Sequence, residues 1–285
     1  GTTWAAVQIG VQNIPPLFSA AMRFCIACIV LGGWILYKKI PVPKDRASWI
    51  LIFMIAATSY TVTFALQYWG QKQISSGLAS ILFATFPFWI VILSKIFLQE
   101  ERIHCFQWIA LVVGFSGVML IFHDGFSQQN TNLLLGMAAV LVSALIQSSA
   151  LIILRKYRTH IDPVIMNFWA MLIGAVTLLV ASAVMESISI GMFDRISVII
   201  LLYLGTFGTV VTFVIYFWLA QHMRAIMLSL ISFITPVIAL FIGVLWMHEI
   251  VGFEEGIGVI AVLGSLIIAN IEDFRMLINK KIVRS

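Results

Sequence analysis

The stretch TFALQYWGQKQISSGLASILFATFP, residues 63–87, is met again as TFVIYFWLAQHMRAIMLSLISFITP at 212–236. Thr63-Phe64, Trp69, Ser80 and Pro87 recur as Thr212-Phe213, Trp218, Ser229 and Pro236, always 149 residues later. Five of the 25 positions agree, where apolar composition alone gives roughly one or two. The placement matters more than the count. Each set lies across two successive apolar runs, each long enough to cross a bilayer. A chain of 285 residues that reads twice, and is apolar in both readings, has the organisation of a secondary membrane transporter.

Composition points the same way. The chain is 61% hydrophobic and 10% charged, against about 25% charged residues in a soluble domain. A soluble core of this size cannot bury so much apolar surface. A membrane solvent can, because lipid-facing and core-facing positions are both free to be apolar. The net charge of +5 forms no stripe, and the basic residues sit between the apolar runs and at the C-terminus, so no nucleic-acid partner is expected. Membrane lipid and a small-molecule solute are the expected partners, and a monomer is compatible with the sequence. Cys25 and Cys28 form a C-x-x-C inside an apolar run. Hydrocarbon disfavours the thiolate that exchange chemistry needs, so both are read as packing residues. Cys105 stands alone, and no disulfide framework is indicated.

A spanning helix needs about 20 apolar residues. Nine such runs occur at 17–37, 49–69, 74–98, 105–122, 133–154, 163–185, 196–219, 225–247 and 256–271. Residues 1–13 read as the second half of a tenth, truncated in this chain. With ten spans and a cytoplasmic N-terminus, fourteen of the 17 lysines and arginines fall on the cytoplasmic side. Only Lys72 and Arg195 fall opposite, and Arg23 lies within a span. A wrong span count would scramble this positive-inside bias. The expected fold is therefore an all-α integral membrane protein with ten transmembrane helices and both termini cytoplasmic. Residues 1–122 form a first five-helix repeat, 133–271 a second, and 272–285 a basic cytoplasmic tail. An odd number of helices per copy inverts the second relative to the first and places a binding site near the midplane between them.

Polar residues within the spans are the candidates to line that site. Under the 149-residue offset, Ala56, Tyr60, Thr63 and Gln67 become Gly205, Thr209, Thr212 and Tyr216, spaced to share one helical face. Small and hydroxyl residues let membrane helices approach closely, and they equally suit the wall of a wet cavity. Gln67 and Tyr216 favour the cavity, since a buried amide or phenol needs a partner. Pro87 and Pro236 interrupt the fourth and ninth spans. An interior proline frees a carbonyl one turn back, at Phe83 and Ser232, and can act as a kink or as a gating break. Trp4 and Gln8 lie one turn apart on the first span. Gln147 marks the sixth, where a cavity role and an ordinary interhelical hydrogen bond are both open. Trp169 marks the seventh. Arg23 is the one charged residue clearly within a span. Either it snorkels to the interface, or it faces inward and favours an anionic or carboxylate-bearing solute.

No span centre carries Asp, Glu or His, so no titratable relay is evident. There is no H-E-x-x-H, no carboxylate pair and no P-loop. The expectation is neither an enzyme nor a pump, with no cofactor and no metal.

Three elements stand out: Gly1-Thr2-Thr3-Trp4, residues 15–24, PPLFSAAMRF, and the paired segments 76–87 and 225–236, followed by Glu101-Arg102 and Glu249. They resemble, in turn, the end of a first-helix W-G-[ST]-x-[FW] element, the entry to helix two with its R-F pair, and the repeated segment of the EamA-type proteins of the drug/metabolite transporter superfamily. The resemblance implies ten helices in inverted repeats. It implies a cavity walled by helices 1–4 and 6–9, and export of amino acids or other small metabolites across a bacterial inner membrane. It carries Trp4, Arg23, Pro87 and Pro236 onto this sequence as family positions. Arg23 has no counterpart in the second copy, where Trp169 or Ala170 stands. A non-transporting membrane scaffold or receptor subunit is the competing expectation. It requires the polar stripes to pack without a cavity.

Overall fold

A computed structural model describes residues 1–98, 105–127, 130–157, 161–189, 192–212, 215, 225–249 and 252–269. Its elements are α1 (Thr2–Asn13), α2 (Pro16–Lys38), α3 (Arg46–Ile55), α4 (Thr63–Gln71), α5 (Ser76–Phe83), α6 (Phe86–Phe97), α7 (Cys105–Ser127), α8 (Thr131–Tyr157), α9 (Pro163–Met185), α10 (Arg195–Gly205), α11 (Ala225–Trp246) and α12 (Phe253–Ala269). Two wider π-helical segments, Ala56–Val62 and Thr206–Val211, extend α3 and α10. No strand occurs among the described residues. Six helical stretches are long and apolar enough to cross a membrane: Pro16–Lys38, Arg46–Gln71, Ser76–Phe97, Cys105–His123, Thr131–Leu154 and Pro163–Met185. Shorter apolar helices cover Arg195–Val211 and Ile234–Trp246. The protein is a multi-pass membrane protein.

Local chemistry sets the helix ends. Pro16 and Pro163 open α2 and α9, where a missing N–H costs nothing. Asp45 caps α3 by accepting from the Ser48 amide at 2.7 Å, and Asp194 caps α10 from the Ser197 amide at 2.8 Å. Asp-Arg-x-Ser thus recurs at the 149-residue offset, a repeat signal that the apolar pattern hides. Hydrogen bonds from Ser48 and Ser197 hold both carboxyls below the usual carboxylate range.

Packing is by helix pairs. α2 lies along α9, α4 and α6 lie along α8, α5 along α11, and α7 along α12, while α1 fits between α10 and α5. One core gathers Phe24, Ile52, Tyr68, Met171 and Leu178, and a second gathers Trp4, Leu82, Ile121, Met137 and Val262. Backbones approach closely where glycines meet. A Cβ on Gly117 would stand 2.7 Å from the Gly258 carbonyl, and one on Gly70 2.8 Å from the Gly136 carbonyl. Such contacts replace the hydrophobic drive that lipid removes. Ile29, Leu36, Met119, Val184 and Ile260 stand exposed on the outside, as a lipid-facing surface requires.

The two proline positions differ. The sequence places both prolines inside a helix. In the structure α5 ends at Phe83, a turn at Ala84-Thr85 follows, and Pro87 lies in the opening residues of a new helix, α6. Its missing N–H is therefore no loss there. Pro236 lies inside α11, which runs on through it.

Candidate functional site

The two π-helical segments sit at positions related by the repeat offset. A π turn bonds each amide five residues back and widens the helix, and such turns recur at functional sites. In the second segment threonine hydroxyls take up the altered ladder. Thr209 Oγ1 donates to the Leu204 carbonyl at 2.9 Å and Thr212 Oγ1 to the Phe207 carbonyl at 2.8 Å, each five residues back. In the first, the Thr58 hydroxyl donates to the Met54 carbonyl at 2.7 Å.

Each π segment is tied to a helix of the other half of the chain. Arg23 on α2 donates from Nε to Thr209 Oγ1 at 2.8 Å and from Nη2 to the Gly208 carbonyl at 2.9 Å. Its Nη1 donates to the Tyr68 hydroxyl at 3.3 Å, and the guanidinium lies 5.2 Å from the centre of the Phe64 ring. In the other direction, the Tyr60 hydroxyl donates to Asn167 Oδ1 on α9 at 2.5 Å. Asn167 in turn donates from Nδ2 to the Pro163 carbonyl at 2.8 Å. Arg23 is 7% exposed, so it is buried rather than snorkelling. No carboxylate pairs with it among the described residues.

Beside Arg23 lies a cavity of about 200 Å³. Thr3, Trp4 and Val7 of α1 form one wall. Ser59, Tyr60, Thr63, Phe64, Gln67, Tyr68 and Gln71, from the first π segment and α4, form the opposite one. Phe83 of α5 and Gln147 of α8 complete it. The Trp4 and Phe83 rings meet at 5.4 Å. Tyr60 stacks on Phe64 at 6.3 Å, and Phe64 leans on Tyr68 at 6.1 Å. Gln71 Oε1 and Gln147 Oε1 are buried with no partner. Aromatic faces, a guanidinium and glutamine side chains therefore border one space inside an otherwise apolar bundle. Residues 1–123 and 134–271 match the EamA-like transporter family.

The chain belongs to that family. It is thus a membrane transporter of the drug/metabolite transporter superfamily, not an enzyme. Relatives include an uncharacterized transporter, YoaV, of Bacillus subtilis, 31% identical over 87% of this chain and 85% of its own length. Protein PagO of Salmonella typhimurium is 28% identical over 84% and 78%. The uncharacterized inner membrane transporter YedA of Escherichia coli is 25% identical over 85% and 78%. A protein of known crystal structure shares the fold with a TM-score of 0.68, at 16% identity, over 96% of this chain and 95% of its own.

In this EamA-family chain, Trp4, Arg23, Tyr60, Thr63, Gln67 and Gln147 line this cavity. Thr209 does not reach it but holds Arg23 at its edge. Gln8 lies off the cavity with its Oε1 buried and unpaired. Trp169 packs edge-on to Trp49 at 5.1 Å, also away from it. Thr212 is exposed, its hydroxyl bonded to its own helix. Tyr216 lies outside the described residues. Sequence reasoning passed over Tyr68, Ser59 and Gln71. Tyr68 continues the Tyr60 and Phe64 ladder at a spacing of four, a signal that was legible but reads equally as core.

Proposed function

We propose that the chain is a secondary transporter moving a small metabolite, with an amino acid the solute class that suits the site best. It would export that solute across a bacterial inner membrane by alternating access. The observation that carries this reading is the aromatic-walled cavity beside Arg23, built by the first half of the chain and completed by Gln147 of α8 from the second. At about 200 Å³ it lies below the ~300–1,000 Å³ of drug-sized pockets, which suits a metabolite. Its aromatic walls suit an apolar moiety, and its glutamine side chains suit a polar one that hydrogen-bonds.

Ten spans in two inverted repeats, with both termini cytoplasmic, form part of the proposal. Two features support it. The Asp caps and the π segments recur at the repeat offset. Ile40, Pro43 and Ser48 also share a groove with Tyr157, Ile161 and Asp162, which agrees with both linkers lying on one side of the membrane.

The test is counterflow of radiolabelled amino acids and related metabolites in liposomes, with Trp4→Ala alongside. Saturable exchange of one class, reduced at least tenfold in the variant, is expected. Cysteine accessibility at Thr63 separates this reading from the scaffold one, and labelling by aqueous thiol reagents is expected. Protection from aqueous thiol reagents under all conditions, together with no counterflow, would sink the carrier.

A further inference from the structure

We propose that Arg23 is the anion-binding residue of the cavity, and that the transported solute carries a carboxylate. The inference rests on the carrier reading and deepens it. A guanidinium has five N–H donors. Three are used, on Thr209 Oγ1, the Gly208 carbonyl and the Tyr68 hydroxyl. One N–H on each terminal nitrogen has no partner among the described residues. All three partners are neutral, so they fix the side chain without cancelling its charge. Phe64 supports the ring-like plane from one side. A permanently charged group held this way within a membrane is costly, and such groups are retained where a counter-charge arrives.

The location says which charge arrives. Arg23 lines the same cavity as Trp4, Gln67 and Gln147. Two N–H groups on adjacent terminal nitrogens match the two oxygens of a carboxylate. Gln147 and Gln71 line the cavity too, and a neutral amide, with an acceptor oxygen as well as donors, suits a donor elsewhere on the solute. The site thus discriminates between the ends of a solute: anion toward Arg23, N–H or O–H toward the amides. A cationic amine without a carboxylate meets like charge at Arg23 and is rejected.

Matched triples decide the matter in proteoliposomes loaded with each acid. L-Phenylalanine is compared with L-phenylalaninamide and phenethylamine, and L-alanine with alaninamide and ethylamine, as competitors of counterflow. At least one acid is expected to exchange tenfold or more better than its amide, with its amine inactive. Arg23→Gln should bring the acid-to-amide ratio to about one, and Arg23→Lys should restore part of it. If acids and amides exchange equally in the wild-type protein, the assignment of Arg23 is overturned while the carrier stands. Preference for the amines overturns it likewise. Exchange of no compound by protein shown to be folded, together with protection of a cysteine at Thr63 from aqueous thiol reagents, removes the carrier reading and the inference with it. The wild-type panel decides without any variant, so misfolding of Arg23→Gln does not blunt the test.

Discussion

Asp45 and Asp194 show what single residues contribute. Each carboxylate accepts from the backbone amide and the hydroxyl, or the amide alone, of the serine three residues on. Both are exposed, and the hydrogen bonds lower their pKa from the ordinary value of 3.8. A depressed folded-state pKa means the stabilisation is fully present above the unfolded value. It is lost as pH falls through the folded value. Asp194→Ala should therefore lower the thermal midpoint at pH 7, and should lose less on acidification to pH 3 than the wild type. Asp194→Asn should hold the pH 7 midpoint, because a neutral amide still caps, and should show no acid loss from this site. Thermal unfolding in detergent at the two pH values reads both. These caps are legible in the sequence, once in each half, as an Asp-Arg-x-Ser that precedes an apolar run. Arg23 was legible as the one charge within a span. Its three partners were not, because two of them come from a segment 185 and 186 residues away.

At the scale of elements, the hydrophobic runs marked nearly every helix to within a few residues. Spans at 17–37 and 163–185 became Pro16–Lys38 and Pro163–Met185. The π segments were invisible, since a bond to the fifth residue back rather than the fourth leaves no trace in composition. Thr58, Thr209 and Thr212 mark them only once their hydroxyls are seen on carbonyls. The Pro87 break was half legible: proline announces a disturbance, and only packing decides whether the helix bends or restarts. The glycine contacts make a sharper prediction. Gly258→Leu forces side-chain atoms into a space where even a Cβ would stand 2.6 Å from Ile121 and 2.7 Å from the Gly117 carbonyl. It should separate α7 from α12 and cost at least the ~1–3 kcal/mol of overpacking. Gly264, on the same helix, has nothing within 4 Å of the added atom. Gly264→Ala should be neutral or gain up to ~1 kcal/mol of helix propensity. Equal thermal midpoints for the two variants would remove the α7–α12 contact from the account of stability.

Across the whole molecule, two carboxylates join distant parts of the chain. Glu249 accepts from the Ser76 amide at 2.7 Å, the Ser76 hydroxyl at 2.8 Å and the Gly77 amide at 3.0 Å. Glu186 accepts from the Leu17 and Phe18 amides at 2.9 and 3.0 Å and from the Ser182 hydroxyl at 2.7 Å. Each places a negative charge on the orphan amides that begin a helix, where the helix dipole favours it. The reach of Glu249 is built in. His248 takes a left-handed backbone, φ 55, after α11, and Gly243 leaves the space that the carboxylate fills. In the ten-span arrangement both clasps fall on the face away from the termini, one joining α9 to α2 and the other α11 to α5. Helices from the two halves are thereby fastened at that face, and the clasped α2 and α5 both contribute to the cavity that Thr63 lines, through Arg23 and Phe83. Alternating access requires such a face to part, and charge-assisted hydrogen bonds worth ~1.5–3 kcal/mol each are of the size that sets a population. Gln in place of both Glu186 and Glu249 keeps an acceptor oxygen but loses the charge and turns an NH₂ toward the amides. The double variant should then label faster than the parent at a cysteine placed at Thr63, by tenfold or more, with an impermeant maleimide added from that face. Unchanged labelling with a lowered thermal midpoint would show that the clasps staple helix ends and do not hold the cavity shut.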